Sequence, residues 1–468
     1  MTGLRQIVSP VQAWAAKFGT APLGRQAGWI VAPFVVQQLV RLATNVALTR
    51  LLAPEMFGLM LLVNTLRTGV ELLSDIGIGQ SIVRSARGEE RGFLDTAWTL
   101  QVLRGALLTL AMLAAAMPLS QLYRQPELTP ILFAISPIFL ITGLLSPSLF
   151  LLQRKMNLRA RAVYDLGGAL FHSVFTIALA AAMPSIWALV FGLILGSAFQ
   201  TGLSFVVGER VRPRFAWHRD HVREIFGFGK WIFLSTAVYF AAMSTDRFYF
   251  VAVLPLALAG VYSVARSFAD LSGELAQRAG ALLVFPKLAA LREGRGEAAA
   301  GLRGKRFRIL ALLAAAVAGG IAVSDQFILL VYDQRYHAAA FMLPVLLTGT
   351  WFGVLAAFAD AMLMGCGKPA PGARANGLKF AVLLILLPLA VSRGTMFEAL
   401  LVLVLAEMSR WAALAPARQR ERLARVGDDL ALTVFMLTLA VAAKVALGWI
   451  GVVPTVTEWW ALGQIADA

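Results

Sequence analysis

Apolar runs long enough to cross a hydrocarbon core about 30 Å thick recur along this entire chain, and that recurrence restricts it to a bundle of membrane-spanning helices. Thirteen such spans fall near residues 27–50, 55–83, 96–118, 130–152, 161–183, 186–207, 229–253, 258–286, 307–331, 339–365, 376–391, 396–415 and 430–453. With 59% hydrophobic and 15% charged residues, the composition matches, since soluble domains hold about 25% charged residues. Lys and Arg, counted with residues at the span ends, alternate between sides without exception. Thirty of the 42 lie on one set of loops, four on the other and eight inside spans. The positive-inside rule therefore puts the N-terminus and the basic loops, near 84–95, 153–161, 208–228, 287–308, 366–375 and 416–429, in the cytoplasm. A net charge of +16 thus needs no nucleic acid to explain it. The clusters Arg210, Arg212, Arg214, Arg219, Arg223 and Arg303, Lys305, Arg306, Arg308 read as topology signals beside anionic headgroups, with the gathering of a lipid-linked anionic substrate on the cytoplasmic side as the functional alternative. The opening residues show no cleavable signal peptide, and Val8–Phe18 reads as a short surface helix.

Polar residues interrupt this apolar background in a pattern. Two helices, Gly28–Arg50 and Pro54–Val83, form a hairpin. Gln37, Arg41, Thr44 and Asn45 share about 100° of the first helix. Asn64, Arg67, Glu71 and Asp75 form one stripe on the second, at i, i+3, i+7 and i+11. An Arg or Asp at the bilayer centre costs roughly 2.5–3.5 kcal/mol, so these stripes face protein or water rather than lipid. A shift of 202 residues lays this hairpin on Lys230–Val253 and Leu258–Phe285, matching Trp29 to Trp231, Leu52 to Leu254 and Gly58 to Gly260. Only six of 56 positions are identical, so the suggestion of duplication comes from layout. The second hairpin carries Ser235, Tyr239, Asp246 and Arg247, then Arg266, Asp270, Glu274 and Gln277. The expected organisation is a cytoplasmic segment 1–26, a six-helix bundle 27–228, a second over 229–415, and 416–468 holding a basic loop, one extra span and a tail.

Enzymatic signals are sparse. One cysteine, Cys366, excludes an intramolecular disulfide, and the four histidines lack zinc-site spacing, so neither metal nor cofactor is expected. No phosphate-binding loop of the form G-x-x-x-x-G-K-[ST] occurs. The outward loops are about a dozen residues at most, too short for a catalytic domain. His172, alone within a span, reads as hydrogen-bonded packing. The expectation is a transporter.

The stretches Arg50–Met60 and Leu72–Val83, with Leu363-Met364-Gly365-Cys366-Gly367-Lys368-Pro369 after the tenth span, resemble the Wzx-type lipid-linked oligosaccharide flippases. These belong to the multidrug/oligosaccharidyl-lipid/polysaccharide exporter superfamily. The resemblance implies an all-α polytopic fold of about 12–14 spans in two six-helix bundles related as parallel repeats. It implies a multi-pass protein of the bacterial inner membrane that moves an undecaprenyl-pyrophosphate-linked oligosaccharide outward for cell-surface polysaccharide synthesis, with a polymerase and export machinery as further partners. Arg41, Arg67, Arg247 and Arg266, with Gln37, Asn45 and Asn64, would then contact an anionic cargo through charge-assisted hydrogen bonds. The competing reading pairs Arg67 with Glu71, Arg266 with Asp270 and Glu274 with Arg278 along their helices. Arg41 has no acidic residue within one turn; Arg104 reads as snorkelling. Asp75, Asp246, Asp270, Glu274, Asp360 and Glu407 are candidates for proton or sodium coupling. A peptidoglycan-precursor flippase and a drug or cation antiporter of the same superfamily remain open, and a non-transporting scaffold has little use for polar stripes.

The charge alternation makes a direct prediction. A reporter active only in the periplasm should be active when fused after Pro184 or Leu254 and silent after His218 or Gly296. Silence at both outward positions would reverse the topology.

Overall fold

The computed structural model describes residues 23–209, 211–283, 296–366, 368–392, 395–421 and 424–467. The Val8–Phe18 segment lies outside these residues, as do the side chains of Ser235, Gln277, Arg278, Arg303 and Lys305. Among the described residues the regular structure is helical. The elements are α1 (Leu23–Leu51), α2 (Pro54–Leu73), α3 (Ile78–Arg84), α4 (Arg91–Tyr123), α5 (Leu128–Ile135), α6 (Pro137–Gly143), α7 (Ser148–Arg154), α8 (Leu158–Ala182), α9 (Ile186–Ser204), α10 (Arg219–Val253), α11 (Leu256–Leu283), α12 (Gly296–Val331), α13 (Ala339–Gly365), α14 (Ala370–Ser392), α15 (Met396–Arg420), α16 (Val426–Trp449) and α17 (Val456–Asp467). Nine described helices are long and apolar enough to cross a membrane, or ten when α5–α7 is taken as one broken span. The remaining long helices α1, α10 and α11, at 29, 35 and 28 residues, have the length at 1.5 Å per residue but carry the polar positions. The chain is an all-α polytopic membrane protein.

Two compact units divide it. One holds Met1–Leu52 and Val63–Ala237, the other Ala53–Leu62 and Val238–Ala468, so the first turns of α2 count with the second unit.

Two spans expected to be continuous are broken. The stretch 54–83 stops at Leu73 and resumes at Ile78. Ser74 turns its hydroxyl back on the Val70 and Glu71 carbonyls, Asp75 accepts the Gly77 N–H at 2.9 Å, and Gly77 takes φ 70°. That left-handed conformation suits glycine and ends the helix. Asp75 therefore sits on a break and not on a helical stripe. The span 130–152 becomes α5, α6 and α7, with a bend of 57° before α7. Pro137 and Pro147 stand where α6 and α7 begin, and the proline ring cannot continue the preceding ladder. The short α3 is held by Ile78 and Ile82, which pack with Phe93, Leu94, Leu151 and Ile225. Arg154 donates to the Ile82 and Val83 carbonyls at its end, at 2.9 and 3.1 Å.

The second unit contains a crossing of backbones. A Cβ on Gly58 of α2 would lie 2.1 Å from the Leu256 carbonyl oxygen, and one on Gly260 of α11 would lie 1.9 Å from that of Pro54. The contact is reciprocal under the 202-residue shift, which carries Pro54 to Leu256 and Gly58 to Gly260. Small residues here let the two backbones touch.

Charges assigned to solvated loops are instead interior. Arg306 lies within α12 and Arg418 near the end of α15, at 2% and 0% exposure. Both converge on Asp429 of α16, Arg306 at 2.6 Å, and Trp411 donates its indole N–H to the same carboxylate at 3.0 Å. The loop expected over 416–429 shrinks because α15 runs to Arg420 and α16 starts at Val426. Lys444 inside α16 is accommodated by the buried Asp325 of α12.

Asp429 carries a sharp expectation. Asp429→Asn leaves two buried guanidinium groups facing a neutral partner, and breaking such a pair costs about 3–5 kcal/mol. The variant should melt well below the wild type in detergent and accumulate poorly; wild-type melting would contradict the account.

Candidate functional site

The first unit encloses a cavity of about 1010 Å³. The polar face of α1 lines it with Gln37, Arg41, Thr44 and Asn45. Arg67 and Glu71 enter from α2, Asp75 from the break, Gln80 and Arg84 from α3, Gln101 and Arg104 from α4, Asp165 and His172 from α8, and Gln200 from α9. Both polar stripes of the first hairpin thus meet in one space, with Asn64 as the exception. It is exposed and does not line the cavity. Three turns or more separate it from Asp75 on the expected stripe, and the helix ends before that stripe is complete.

The wall presents four arginines against three carboxylates. Arg67 pairs with Glu71 at 2.9 Å, as i, i+4 spacing anticipates, yet its Nε is buried with no hydrogen-bond partner among the described residues. Arg41 is exposed to the cavity and donates to Gln38 at 3.3 Å. Arg104 does not snorkel. It bonds the Ser74 hydroxyl, at 3.1 Å from Nε, and the Glu71 carbonyl, closing the C-terminal end of α2 at the break. Sequence reading missed this because the acceptors exist only once α2 stops. His172 contacts the Gly192 carbonyl at 3.0 Å, the packing role anticipated, while its ring also faces the cavity.

Beside this wall, loop 85–90 is tied to the start of α10. Ser85 donates to Glu224 at 2.6 Å and Arg87 pairs with the same carboxylate. Burial works against the Glu224 charge, but the Ser85 and Arg87 hydrogen bonds outweigh it and hold the carboxyl below its usual range. A depressed carboxyl stabilises the fold above its unfolded value, and that contribution fades as pH falls.

The second unit carries the other candidate residues in two clusters of ion pairs. Asp246 accepts the Tyr262 hydroxyl at 2.5 Å and lies 3.4 Å from Arg266. Arg247 and Arg266 share Asp270, at 2.5 and 3.0 Å. Lys379 of α14 pairs with Glu407 of α15 at 2.6 Å, with Arg410 at 3.6 Å on the other oxygen. Asp360 stands apart. No ion pair to it occurs among the described residues, and its Oδ1 would be 2.0 Å from a Cβ on Gly372. Glu274 is half-buried on α11 and takes no part in the contacts just described. Lys379, 3% exposed, escaped the sequence reading because a cation four residues into a short span passes for a boundary charge.

These features define a polytopic membrane bundle in two units, with buried charged side chains and a cavity walled by four arginines. Two solved structures share its fold: a lipid II flippase, MurJ, in an inward closed conformation, and an inward-facing multidrug resistance transporter of the MATE family in the MOP superfamily. The first has a TM-score of 0.67 at 12% identity, covering 92% of this chain and 96% of MurJ. The second has 0.62 at 16%, covering 87% and 98%. Residues 47–341 match the model of a polysaccharide biosynthesis protein family, and the chain belongs to that family. Among curated relatives it is 23% identical over 322 residues to the succinoglycan biosynthesis transport protein ExoT of Rhizobium meliloti (strain 1021). It is 21% identical over 325 residues to the lipopolysaccharide biosynthesis protein WzxC of Escherichia coli (strain K12). These matches cover 69% and 68% of this chain and 64% of each relative, so the chain spans just under two thirds of their length.

The cavity predicts an accessibility pattern. With Cys366 replaced by serine, Gln37→Cys and Asn45→Cys should react readily with small polar thiol reagents, whereas Leu62→Cys, at 0% exposure, should not. Equal labelling would mean that the α1 stripe does not face water.

Proposed function

We propose that this protein is an exporter that flips a lipid-linked oligosaccharide, an undecaprenyl-pyrophosphate-linked one, from the cytoplasmic to the periplasmic leaflet of the bacterial inner membrane for surface polysaccharide assembly. It is a transporter rather than an enzyme. The observation that carries the reading is the cavity wall of the first unit, where Arg41 and Arg67 stand among Gln37, Asn45, Gln101 and Gln200. A pyrophosphate-sugar headgroup cannot leave water without compensation. Planar guanidinium groups offer bidentate hydrogen bonds to phosphate oxygens, and side-chain amides suit sugar hydroxyls. Arg67, steadied by Glu71, keeps its guanidinium on the cavity wall, where an anion can meet it. Arg104 serves the site by fixing the break that positions Asp75 and Glu71. The family membership and the named roles of ExoT and WzxC in polysaccharide biosynthesis support this cargo class.

Arg247 and Arg266 enter the proposal differently. Arg247 and Arg266 are held by Asp270, and Lys379 and Arg410 by Glu407. Arginines fixed in this way suit an anionic cargo. Asn64, off the cavity, is the weakest member of the proposed contact set.

Arg41 provides the test. Arg41→Ala should insert at normal levels while export of lipid-linked glycan falls by at least about tenfold, the loss of one charge-assisted bond worth about 1.5–3 kcal/mol. Arg41→Lys should restore part of it, because an ammonium lacks the planar fork. Normal export by Arg41→Ala at normal protein levels would remove the anionic-cargo reading.

A further inference from the structure

Asp246, Asp270 and Glu407 each read from sequence as sites where a transported proton or sodium ion could bind. In the structure each has a cationic side chain of the protein within 3.6 Å. The case of Glu407 is the most specific. The Lys379 ammonium, 3% exposed, lies 2.6 Å from Glu407 Oε1 and 3.2 Å from the Met243 sulfur. Glu407 Oε2 is buried and without a hydrogen-bond partner among the described residues, with an Arg410 nitrogen 3.6 Å away. This is a carboxylate with one oxygen spent on a tethered cation and the other left as an unused acceptor.

We propose that Lys379 is the resident cation of the second unit, occupying at Glu407 the place a sodium ion would otherwise take, so that sodium does not couple to transport through Glu407. Tethering is what makes the substitution effective. An ammonium attached to α14 is present at Glu407 at an effective concentration far above that of any bathing salt. The surroundings match an ammonium better than a metal ion. A thioether is a weak hydrogen-bond acceptor and a soft ligand, whereas hard alkali cations select oxygen. The arginines on Asp246 and Asp270 extend the same logic, since a guanidinium cannot be displaced by sodium without leaving a buried positive charge unpaired. The bearing of this on transport rests on the exporter reading above. The sodium comparison itself does not, so a different cargo would leave its result unchanged.

The experiment is a melting comparison on the full-length protein in detergent or nanodiscs, in sodium, potassium and choline chloride at equal ionic strength. The wild type should show no sodium-dependent rise that Glu407→Gln removes. Lys379→Ala, and Lys379→Met with its aliphatic volume kept, should be less stable in choline and gain a saturable, sodium-dependent rise of at least about 2 °C as Glu407 takes up the free ion. Adding Glu407→Gln to either variant should abolish that rise while recovering much of the lost stability. A sodium-specific rise in the wild type that Glu407→Gln removes overturns the proposal. So does the absence of a sodium response in both single variants, whether because they fold and ignore the ion or because sodium fails to rescue their folding.

Discussion

An ionised side chain inside a bilayer must find its counter-charge within the protein, and that requirement organises this structure. Asp429 gathers Arg306 and Arg418, Asp325 receives Lys444, Asp270 bridges Arg247 and Arg266, and Glu407 holds Lys379. Each pair joins helices distant in sequence or fixes a side chain on its own helix. Apolar faces in lipid have no solvent-driven reason to associate, so polar contacts and close packing decide which helices meet. The pairs serve as fasteners, and the residues left incompletely satisfied are where ligand chemistry can act.

The two units use the requirement in different ways. In the second, carboxylates and cations are consumed by one another in two clusters, one on α10 and α11 and one on α14 and α15. In the first, the charges line an open space, and Arg67 and Arg104 are oriented by contacts that leave the cavity cationic. One unit balances its charges internally; the other leaves arginines along a cavity wall.

Much of this was legible in the sequence. The spans could be found because hydrocarbon thickness sets a length and lipid sets a composition. The Gln37–Asn45 stripe was legible because a helix of regular pitch turns spacing into direction, and α1 is regular there. The i, i+4 pairs Arg67–Glu71 and Arg266–Asp270 followed for the same reason. Legibility ended where the helix did. Asp75 lost its stripe at the Ser74–Gly77 break, and Arg104 acquired acceptors that only the break exposes. Partners far apart in the chain, Lys379 with Glu407 or Arg306 with Asp429, leave no periodic trace, because their register is set by tertiary packing. Counting charges between spans placed Arg306 and Arg418 in loops when both are interior.

The crossing of Gly58 and Gly260 has a further consequence. Where side chains separate two helices, their distance drifts whenever a residue changes size. Where carbonyl meets glycine, the gap is set by the thickness of the main chain, which mutation cannot alter. The surrounding 56-residue segments share only six letters, yet both place a glycine at this point. It is a fixed datum in an otherwise rewritable surface, and a side chain at either glycine would be felt first by the backbone of the other helix.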